Sequence, residues 1–310
     1  MALTGKFCST TMFVLLLLLI LAWLYLFWKK ERKLHSVSEA FTQDSPFVIS
    51  SNSDIYDDFY AEIYDSLMLS DERAAHFWSA FTKAVQPFQH ARFLDVGSGT
   101  GAMVDRVADS GFHCIGVDSS EAMIRFSQSL YPTRTFLHTC VMDPMLFERN
   151  EFFSVFCLGM TIYEFSDEQK LQFFKNCYFW IRPGGYLLLH LADPDHFSPL
   201  VPSAVPFYLS SSSSSSPRLL NYDIEFDGFS YQQSLENHAS SSSCVRRCES
   251  FTDHSSSSVR QNEFLLHMTS TPEILQLGQR AGFVVAGLWN LKSSVYQDPD
   301  QFLYLLERTL

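Results

Sequence analysis

Residues 93–101 have the sequence FLDVGSGTG, and this segment constrains the fold of the chain more than any other. An apolar strand ends in the carboxylate of Asp95, and glycine then occupies every second position, at Gly97, Gly99 and Gly101. Alternate glycines let the backbone turn tightly with no Cβ in the way, so a ligand can lie against main-chain amides where a helix begins. The segment therefore predicts a ligand-binding turn between a strand and a helix.

The residues beside this turn limit the kind of ligand. A phosphate-binding loop requires Lys and then Ser or Thr after its last glycine, whereas Ala102 and Met103 follow here, which disfavours ATP. A dinucleotide fingerprint has its third glycine, or an alanine, three positions after the second, and Ala102 stands there. That fingerprint stays open, although Asp95 and the early third glycine fit it poorly.

A second acidic residue follows the next predicted strand. Residues 113–117 have the composition of a strand, and Asp118 comes directly after them. A carboxylate there can accept hydrogen bonds from both hydroxyls of a ribose, and each hydrogen bond to a charged group contributes about 1.5 to 3 kcal/mol. Together, the glycine turn and Asp118 resemble the cofactor-binding motifs of class I S-adenosylmethionine-dependent methyltransferases.

This resemblance implies S-adenosylmethionine as the cofactor and suggests which residues contact it. In that family the glycine turn holds the methionine end and the sugar, and an acid after the third strand, here Asp143, faces the adenine amino group. An ordinary turn before Pro144 is the alternative role for Asp143. The cofactor-binding residues that we predict are Asp95, Gly97, Ser98, Gly99, Gly101, Asp118, Ser119, Met123, Met142, Asp143 and Leu158, with Tyr56 and Tyr60 as lid residues.

The resemblance also points to residues on the acceptor side. Thr161, Tyr163 and Glu164 follow the fourth strand, where cofactor and acceptor meet in such folds. His190 ends the fifth strand, and ligands of open parallel sheets bind at such ends, so His190 is a candidate base near neutral pH. The alternative for His190 is a core residue. We therefore predict His190, Tyr163 and Glu164 as catalytic residues and no metal site, since Cys244 and Cys248 lack a second pair of ligands.

Strand and helix signals alternate from residue 92 onward, which predicts an α/β fold with a parallel sheet. Two final strands, at about 283–290 and 301–307, are close enough in sequence to form an antiparallel hairpin. The resemblance implies a doubly wound, seven-stranded, mostly parallel sheet with that hairpin at its C-terminal end, in a domain covering residues 54–310. An amphipathic helix over 54–68 precedes the sheet.

One segment, about residues 192–261, interrupts this pattern with serine runs at 210–216, 240–243 and 255–258. Serine tracts bury too little apolar surface to fold alone. The residues between and after these runs are rich in aromatic and β-branched types, which favours strands. We interpret the insertion as a small antiparallel cap over the substrate mouth; a disordered surface excursion is the alternative.

The N-terminal region contains 17 consecutive apolar residues at 12–28, close to the lower limit for a helix that spans a bilayer. Basic residues follow this run, at Lys29, Lys30, Arg32 and Lys33, which favours an uncleaved anchor over a secretory signal peptide. We therefore predict a short tail at 1–11, a transmembrane helix at 12–28 and a basic tether at 29–53. The positive-inside tendency then places the catalytic domain in the cytoplasm of a single-pass membrane protein.

The net charge of the chain limits the classes of molecule that it can bind. Its formal net charge is −12, and nucleic acid binding needs a basic surface, so nucleic acid is excluded as a partner. The most consistent function is S-adenosylmethionine-dependent methyl transfer to a small-molecule or lipid-like acceptor at a membrane surface. A cofactor-binding scaffold without turnover and an NAD-dependent oxidoreductase are the alternatives.

Overall fold

The computed structural model describes residues 45–209, 219–237 and 244–309, together with Ile20. The predicted tail at 1–11, the predicted transmembrane helix at 12–28 and most of the predicted tether therefore lie outside the described residues, apart from Ile20. Within the described part of the chain, no helix has both the length and the apolar character needed to cross a membrane.

The described residues form twelve strands and seven α-helices. The strands are, in chain order, β1 (Phe47–Ser51), β2 (Arg92–Val96), β3 (His113–Asp118), β4 (Thr135–His138), β5 (Phe152–Cys157), β6 (Ile181–Ala192), β7 (Asn221–Glu225), β8 (Phe229–Asn237), β9 (Cys244–Asp253), β10 (Val259–His267), β11 (Phe283–Leu291) and β12 (Asp298–Arg308). The α-helices are α1 (Asp58–Met68), α2 (Ser70–Ala84), α3 (Ala102–Asp109), α4 (Glu121–Leu130), α5 (Asp167–Trp180), α6 (Val205–Leu209) and α7 (Thr271–Ala281). Short 3-10 turns cover Asn52–Ile55 and Thr161–Glu164.

The larger sheet has seven strands in the order β11-β12-β6-β5-β2-β3-β4. Strands β4, β3, β2, β5 and β6 run parallel to one another, and β12 runs antiparallel to both β6 and β11. Every residue of β5 is buried, as expected for a parallel strand that is covered on both faces. The predicted seven-stranded, mostly parallel sheet with a C-terminal antiparallel hairpin is confirmed.

The helix predicted over 54–68 is interrupted. A 3-10 turn ends at Ile55, and α1 begins only at Asp58, because the Asp57 side chain accepts a hydrogen bond from the backbone N–H of Tyr60 at 3.1 Å and caps the helix. Tyr56 therefore lies in the break between the two elements. Helix α2, which the sequence analysis did not predict, packs its aromatic face on the sheet: the Phe81 and Phe156 ring centroids are 5.2 Å apart.

The insertion forms a second, five-stranded sheet in the order β1-β10-β9-β8-β7, which we call the cap. Its strands are antiparallel except for β1, which runs parallel to β10 with Phe47 opposite Val259. The sheet extends beyond the predicted end of the insertion, to His267, and it includes residues 47–51, which the sequence analysis assigned to the tether.

One of the three serine runs, at 255–258, lies in the described part of the cap. Residues 210–218 and 238–243, which contain two of the runs, lie outside the described residues. The third run closes the turn between β9 and β10, where the hydroxyls of Ser255 and Ser256 donate to Asp253 Oδ2 at 2.6 and 2.5 Å. These hydrogen bonds lower the pKa of Asp253 to about 2, against the desolvation that raises it.

Candidate functional site

A cavity of about 380 Å³ lies between the carboxyl ends of β2, β3 and β5 and the cap. Pockets that bind small molecules typically measure about 300 to 1,000 Å³ and lie at such strand ends. The glycine turn and the segments that end β3 and β4 line the cavity. Its lining also includes Tyr56, Tyr60, Glu164 and residues of the cap strands β9 and β10.

Gly97 and Gly99 line this cavity with the positive φ angles that a residue without Cβ adopts readily, +68° and +53°. The Gly97 N–H donates to Val117 O at 2.9 Å, which fixes the turn against β3. A Cβ at Gly97 would lie 2.7 Å from Thr161 Cγ2, so a side chain there would collide with the 3-10 turn after β5. Gly97 therefore allows the 3-10 turn after β5 to pack closely against the glycine turn.

Asp118 lies at the end of β3 and lines the same cavity. Its carboxylate accepts hydrogen bonds from the backbone N–H groups of Gly99 and Ser120, both at 2.9 Å. Desolvation raises the pKa of Asp118, and these hydrogen bonds oppose the rise. The Ser120 hydroxyl in turn accepts from Met123 N–H at 3.0 Å and caps α4, so Ser119 and Met123 also face the cavity.

Gly101 does not line the cavity. Its φ is +90°, and a Cβ would lie 2.6 Å from the ring of Phe136. The close contact with Phe136 gives Gly101 a packing role, because it lets α3 begin against the aromatic ring of β4, and the predicted cofactor contact stays a prediction.

Asp95, Ser98 and Leu158 lie beside the large cavity, around a smaller one of about 30 Å³ that Gly97 also lines. Asp95 is 3% exposed, and desolvation raises its pKa to about 7, although nearby Arg73 opposes the rise. The Ser98 hydroxyl is buried without a hydrogen-bond partner. This smaller cavity therefore contains polar groups whose hydrogen-bonding capacity is incompletely used.

Arg73 of α2 was missed by the sequence analysis. It lines the smaller cavity, and its Nη2 donates to the Tyr64 hydroxyl at 3.4 Å. The available signal was its position four and eight residues before Phe77 and Phe81, which places a cation on the apolar stripe of a helix. That signal required first recognising α2.

The segment after β4 contributes Thr139, Cys140, Val141 and Met142 to the large cavity. Asp143 is not part of the cavity lining. Its side chain is exposed, and its Oδ1 accepts from Met145 N–H at 2.9 Å, as in a local turn. The structure thus shows Asp143 in a local turn, which was the alternative role, and its predicted contact with the adenine stays a prediction.

Tyr56, Tyr60 and Glu164 all line the large cavity, as predicted. The Tyr56 hydroxyl donates to Glu164 Oε1 at 2.5 Å, and the Tyr60 hydroxyl donates to Glu249 Oε2 at 3.0 Å. The Glu164 side chain is accessible from the cavity but closely surrounded by protein, and this desolvation raises its pKa while Tyr56 and Arg247 oppose the rise.

Two of the predicted catalytic residues are outside the cavity. His190 is fully buried, its ring lies 5.6 Å from that of Phe77, and its Nε2 is 3.0 Å from Gln301 Oε1. Burial lowers the pKa of His190 to about 3, so it is a neutral core residue near pH 7 and not a base. Tyr163 is also fully buried, and its hydroxyl donates to Ala192 O at 3.0 Å. Both catalytic assignments were wrong, because a strand end says nothing about the direction of its side chains.

Among residues 45–209, 219–237 and 244–309, no group of three or more His, Cys, Asp or Glu side chains is arranged to hold a metal ion. Cys244 lies near one further potential ligand, with its Sγ 3.5 Å from His267 Nδ1. Cys248 lies four residues further along the same strand.

A family profile described as a methyltransferase domain matches residues 93–185. The ubiquinone biosynthesis O-methyltransferase of Parvibaculum lavamentivorans is 30% identical over 124 residues, which cover 39% of this chain and 47% of that protein. The chain spans about half the length of the curated relatives it matches.

Solved structures match over most of the chain. The CcbJ methyltransferase of Streptomyces caelestis has a TM-score of 0.62 at 15% identity, covering 82% of this chain and 98% of that one. CalS10, an amino pentose methyltransferase of Micromonospora echinaspora solved with S-adenosylmethionine bound, has a TM-score of 0.57 at 18% identity, covering 77% and 92%. The chain therefore has the class I methyltransferase fold, and its residues 93–185 match the methyltransferase domain family.

Proposed function

We propose that this protein is an S-adenosylmethionine-dependent methyltransferase. The observation that carries the proposal is one cavity lined by Asp118, the bare turn at Gly97 and Gly99, Tyr56 and Glu164. Asp118 and the turn suit an adenosine ligand, and Glu164 is a group able to deprotonate an acceptor. The methyltransferase-domain match over residues 93–185 and the fold support the same activity.

The residues present fit the cofactor. Asp118 would accept hydrogen bonds from the ribose hydroxyls, while Met123 and Met142 would contact the adenine. Asp95 and Arg73 carry opposite charges in the smaller cavity, and they would hold the ammonium and the carboxylate of the methionine end. When bound, the cofactor supplies a methyl group on a positively charged sulfur.

The protein's part in methyl transfer is alignment, exclusion of water and removal of a proton. The cap strands close one side of the cavity through Arg247, Phe264, Leu265 and Leu266. Glu164 is the carboxylate best placed to receive a proton from the acceptor, because it lines the cavity and desolvation already raises its pKa.

We further propose a small-molecule or lipid-like acceptor at a membrane surface, with residues 12–28 as the anchor and the catalytic domain in the cytoplasm. The apolar run and the basic residues after it support this placement.

Calorimetry on the full chain in detergent micelles tests the cofactor assignment. We expect S-adenosylmethionine to bind, and Asp118→Ala to weaken it at least about tenfold, because a charged hydrogen-bond acceptor is lost. Asp143→Asn is the matched control and should bind within about twofold of wild type, since Asp143 is not among the residues that line the cavity and its Oδ1 accepts from Met145 N–H.

Two results would overturn the proposal. Binding of NADH in place of S-adenosylmethionine would favour the oxidoreductase alternative. Binding of S-adenosylmethionine without labelled product from any lipid or metabolite fraction would favour the scaffold alternative.

A further inference from the structure

Arg247 is the cation of the cavity that the cofactor assignment leaves unexplained. It lies on β9 of the cap, lines the large cavity, and its side chain is only 19% exposed. Its guanidinium carbon is 3.9 Å from the ring centroid of Phe264, which holds it flat against the β10 wall. A cation in such a position is costly unless a partner compensates for the water it has lost.

The protein compensates the positive charge of Arg247 only in part. Arg247 Nε is 3.5 Å from Glu249 Oε1, and Nε has no hydrogen-bond partner. Glu249 is fully buried outside the cavity wall, and it already accepts hydrogen bonds from the hydroxyls of Tyr60 and Tyr231, at 3.0 and 3.1 Å. Glu249 is therefore already shared with two tyrosine hydroxyls, and Arg247, which lines the cavity, keeps at least one donor without a partner.

A carboxylate, Glu164, faces the same cavity. Among the described residues, the ion pair of Arg247 is with Glu249 and not with Glu164, although the Arg247 charge is close enough to lower the pKa of Glu164. Glu164 is held by the Tyr56 hydroxyl instead. Two opposite charges that line one cavity without pairing match a ligand that carries both charges.

We propose that the acceptor is an amine that also carries a carboxylate or phosphate group, with the anion bound by Arg247 and the amine beside Glu164. The inference rests on the proposed methyltransferase function. Arg247 offers a planar fork of donors that suits either anion. The rings of Tyr56, Tyr60 and Phe264 line the space between, and aromatic faces attract an ammonium group.

The reaction at the amine balances with the groups present. The ammonium gives one proton to the Glu164 carboxylate, which becomes neutral, and the freed nitrogen lone pair forms the new N–C bond. The C–S bond breaks at the same carbon, and its electron pair stays on the sulfur, which loses its positive charge. The product is a methylated ammonium that still carries its anion.

Binding of matched amines to the full chain in detergent micelles, saturated with S-adenosylhomocysteine, tests the inference. Ethanolamine is the amine without an anion. O-phosphoethanolamine and β-alanine are the soluble amines that carry an anion, and phosphatidylcholine vesicles containing phosphatidylethanolamine present such an amine as a lipid headgroup. We expect an anionic amine, soluble or lipid, to bind at least about tenfold more tightly than ethanolamine, because only it engages Arg247. The soluble and vesicle arms distinguish a metabolite from a lipid headgroup.

Arg247→Gln should remove the preference for the anionic amine, while Arg246→Gln, an exposed neighbour on the other face of β9, should retain it. Glu164→Gln should still bind the probe but lower the rate of methyl transfer by about a hundredfold or more, and Glu168→Gln on the surface of α5 should not. Unchanged S-adenosylhomocysteine affinity in these variants shows that they are folded.

Equal affinity for ethanolamine and the anionic amines, an unchanged preference in Arg247→Gln, or no binding of any probe overturns the inference and leaves the proposed function intact. Failure of S-adenosylhomocysteine and S-adenosylmethionine to bind overturns the proposed function itself.

Discussion

Burial of the Asp95 carboxylate beside the cavity lowers the stability of the folded protein when the group is ionised. Its carboxylate is 3% exposed at the end of β2, and its pKa rises from 3.8 to about 7 because burial removes water from the charged form. The folded protein therefore binds more protons at this position than the unfolded chain does between about pH 4 and 7. The contribution of Asp95 to stability is present below pH 4 and is lost as the pH rises through 7.

Asp95→Asn should remove this dependence, since the amide keeps the shape of the side chain and carries no charge. We expect the free energy of unfolding of the variant, relative to wild type, to rise by up to about 1.4 kcal/mol per pH unit between pH 4 and 7 and to level off above. Chemical denaturation of both proteins at several pH values measures this difference in unfolding free energy. A difference that stays flat with pH would show that Asp95 is ionised throughout.

Gly101 tests the distinction between a ligand contact and a packing contact. Gly101→Ala adds a methyl group 2.6 Å from the Phe136 ring at a φ of +90°, whereas Gly111→Ala has a similar φ, +88°, and nothing within 4 Å. We expect a loss of about 3 kcal/mol of unfolding free energy for Gly101→Ala and about 1 kcal/mol for Gly111→Ala. Equal losses in thermal denaturation would mean that α3 shifts away from the ring at no cost.

At the level of single residues, the sequence placed Gly97, Gly99 and Asp118 beside one cavity, as the structure does, because a glycine turn and a strand end are fixed by adjacent residues. Arg247 enters the cavity lining through tertiary packing of the cap, which no local pattern encodes. Arg73 left a local signal, its spacing to Phe77 and Phe81, that can be read only once α2 is recognised. His190 was misplaced because its side chain points into the core and not out of the strand end.

Strand β1 is an element that the sequence analysis did not predict. Its five residues have no strong period, and they acquire their conformation by pairing with β10, more than 200 positions later. The side chain that ties this region together is Arg260, which is 6% exposed. It donates to Asp57 at 2.7 Å, to Ser50 at 3.2 Å and to Ile55 O at 3.3 Å.

Arg260→Gln should therefore destabilise the cap and the start of α1 together. We expect a loss of about 2 to 4 kcal/mol of unfolding free energy, because several hydrogen bonds to a buried charge disappear at once. Arg125→Gln is the matched control: its ion pair with Asp58 at 2.7 Å is exposed and should be worth less than about 1 kcal/mol. Denaturant titration compares the two, and similar losses would contradict the central role of Arg260.

At the scale of the whole molecule, the alternation of strands and helices predicted a parallel sheet, and the resemblance implied its seven strands, whereas the extent of the cap was not predicted. Strand–helix–strand units such as β2-α3-β3 and β3-α4-β4 leave a periodic trace in sequence. The cap joins β1 to residues 221–267, so its boundaries become visible only in three dimensions. The membrane anchor rests on residues 12–28 alone and stays a prediction.

Fractionation of cells expressing the full chain tests this anchor. We expect the chain to sediment with membranes and to resist extraction by alkaline carbonate, because 17 consecutive apolar residues favour the hydrocarbon core. A variant lacking residues 12–28 should appear in the supernatant and bind S-adenosylmethionine within about twofold of the full chain, since the site is built from residues 52–266. An intact mass that lacks the first residues would instead identify a cleaved signal peptide, and recovery of the uncleaved chain in the carbonate supernatant would exclude a spanning helix.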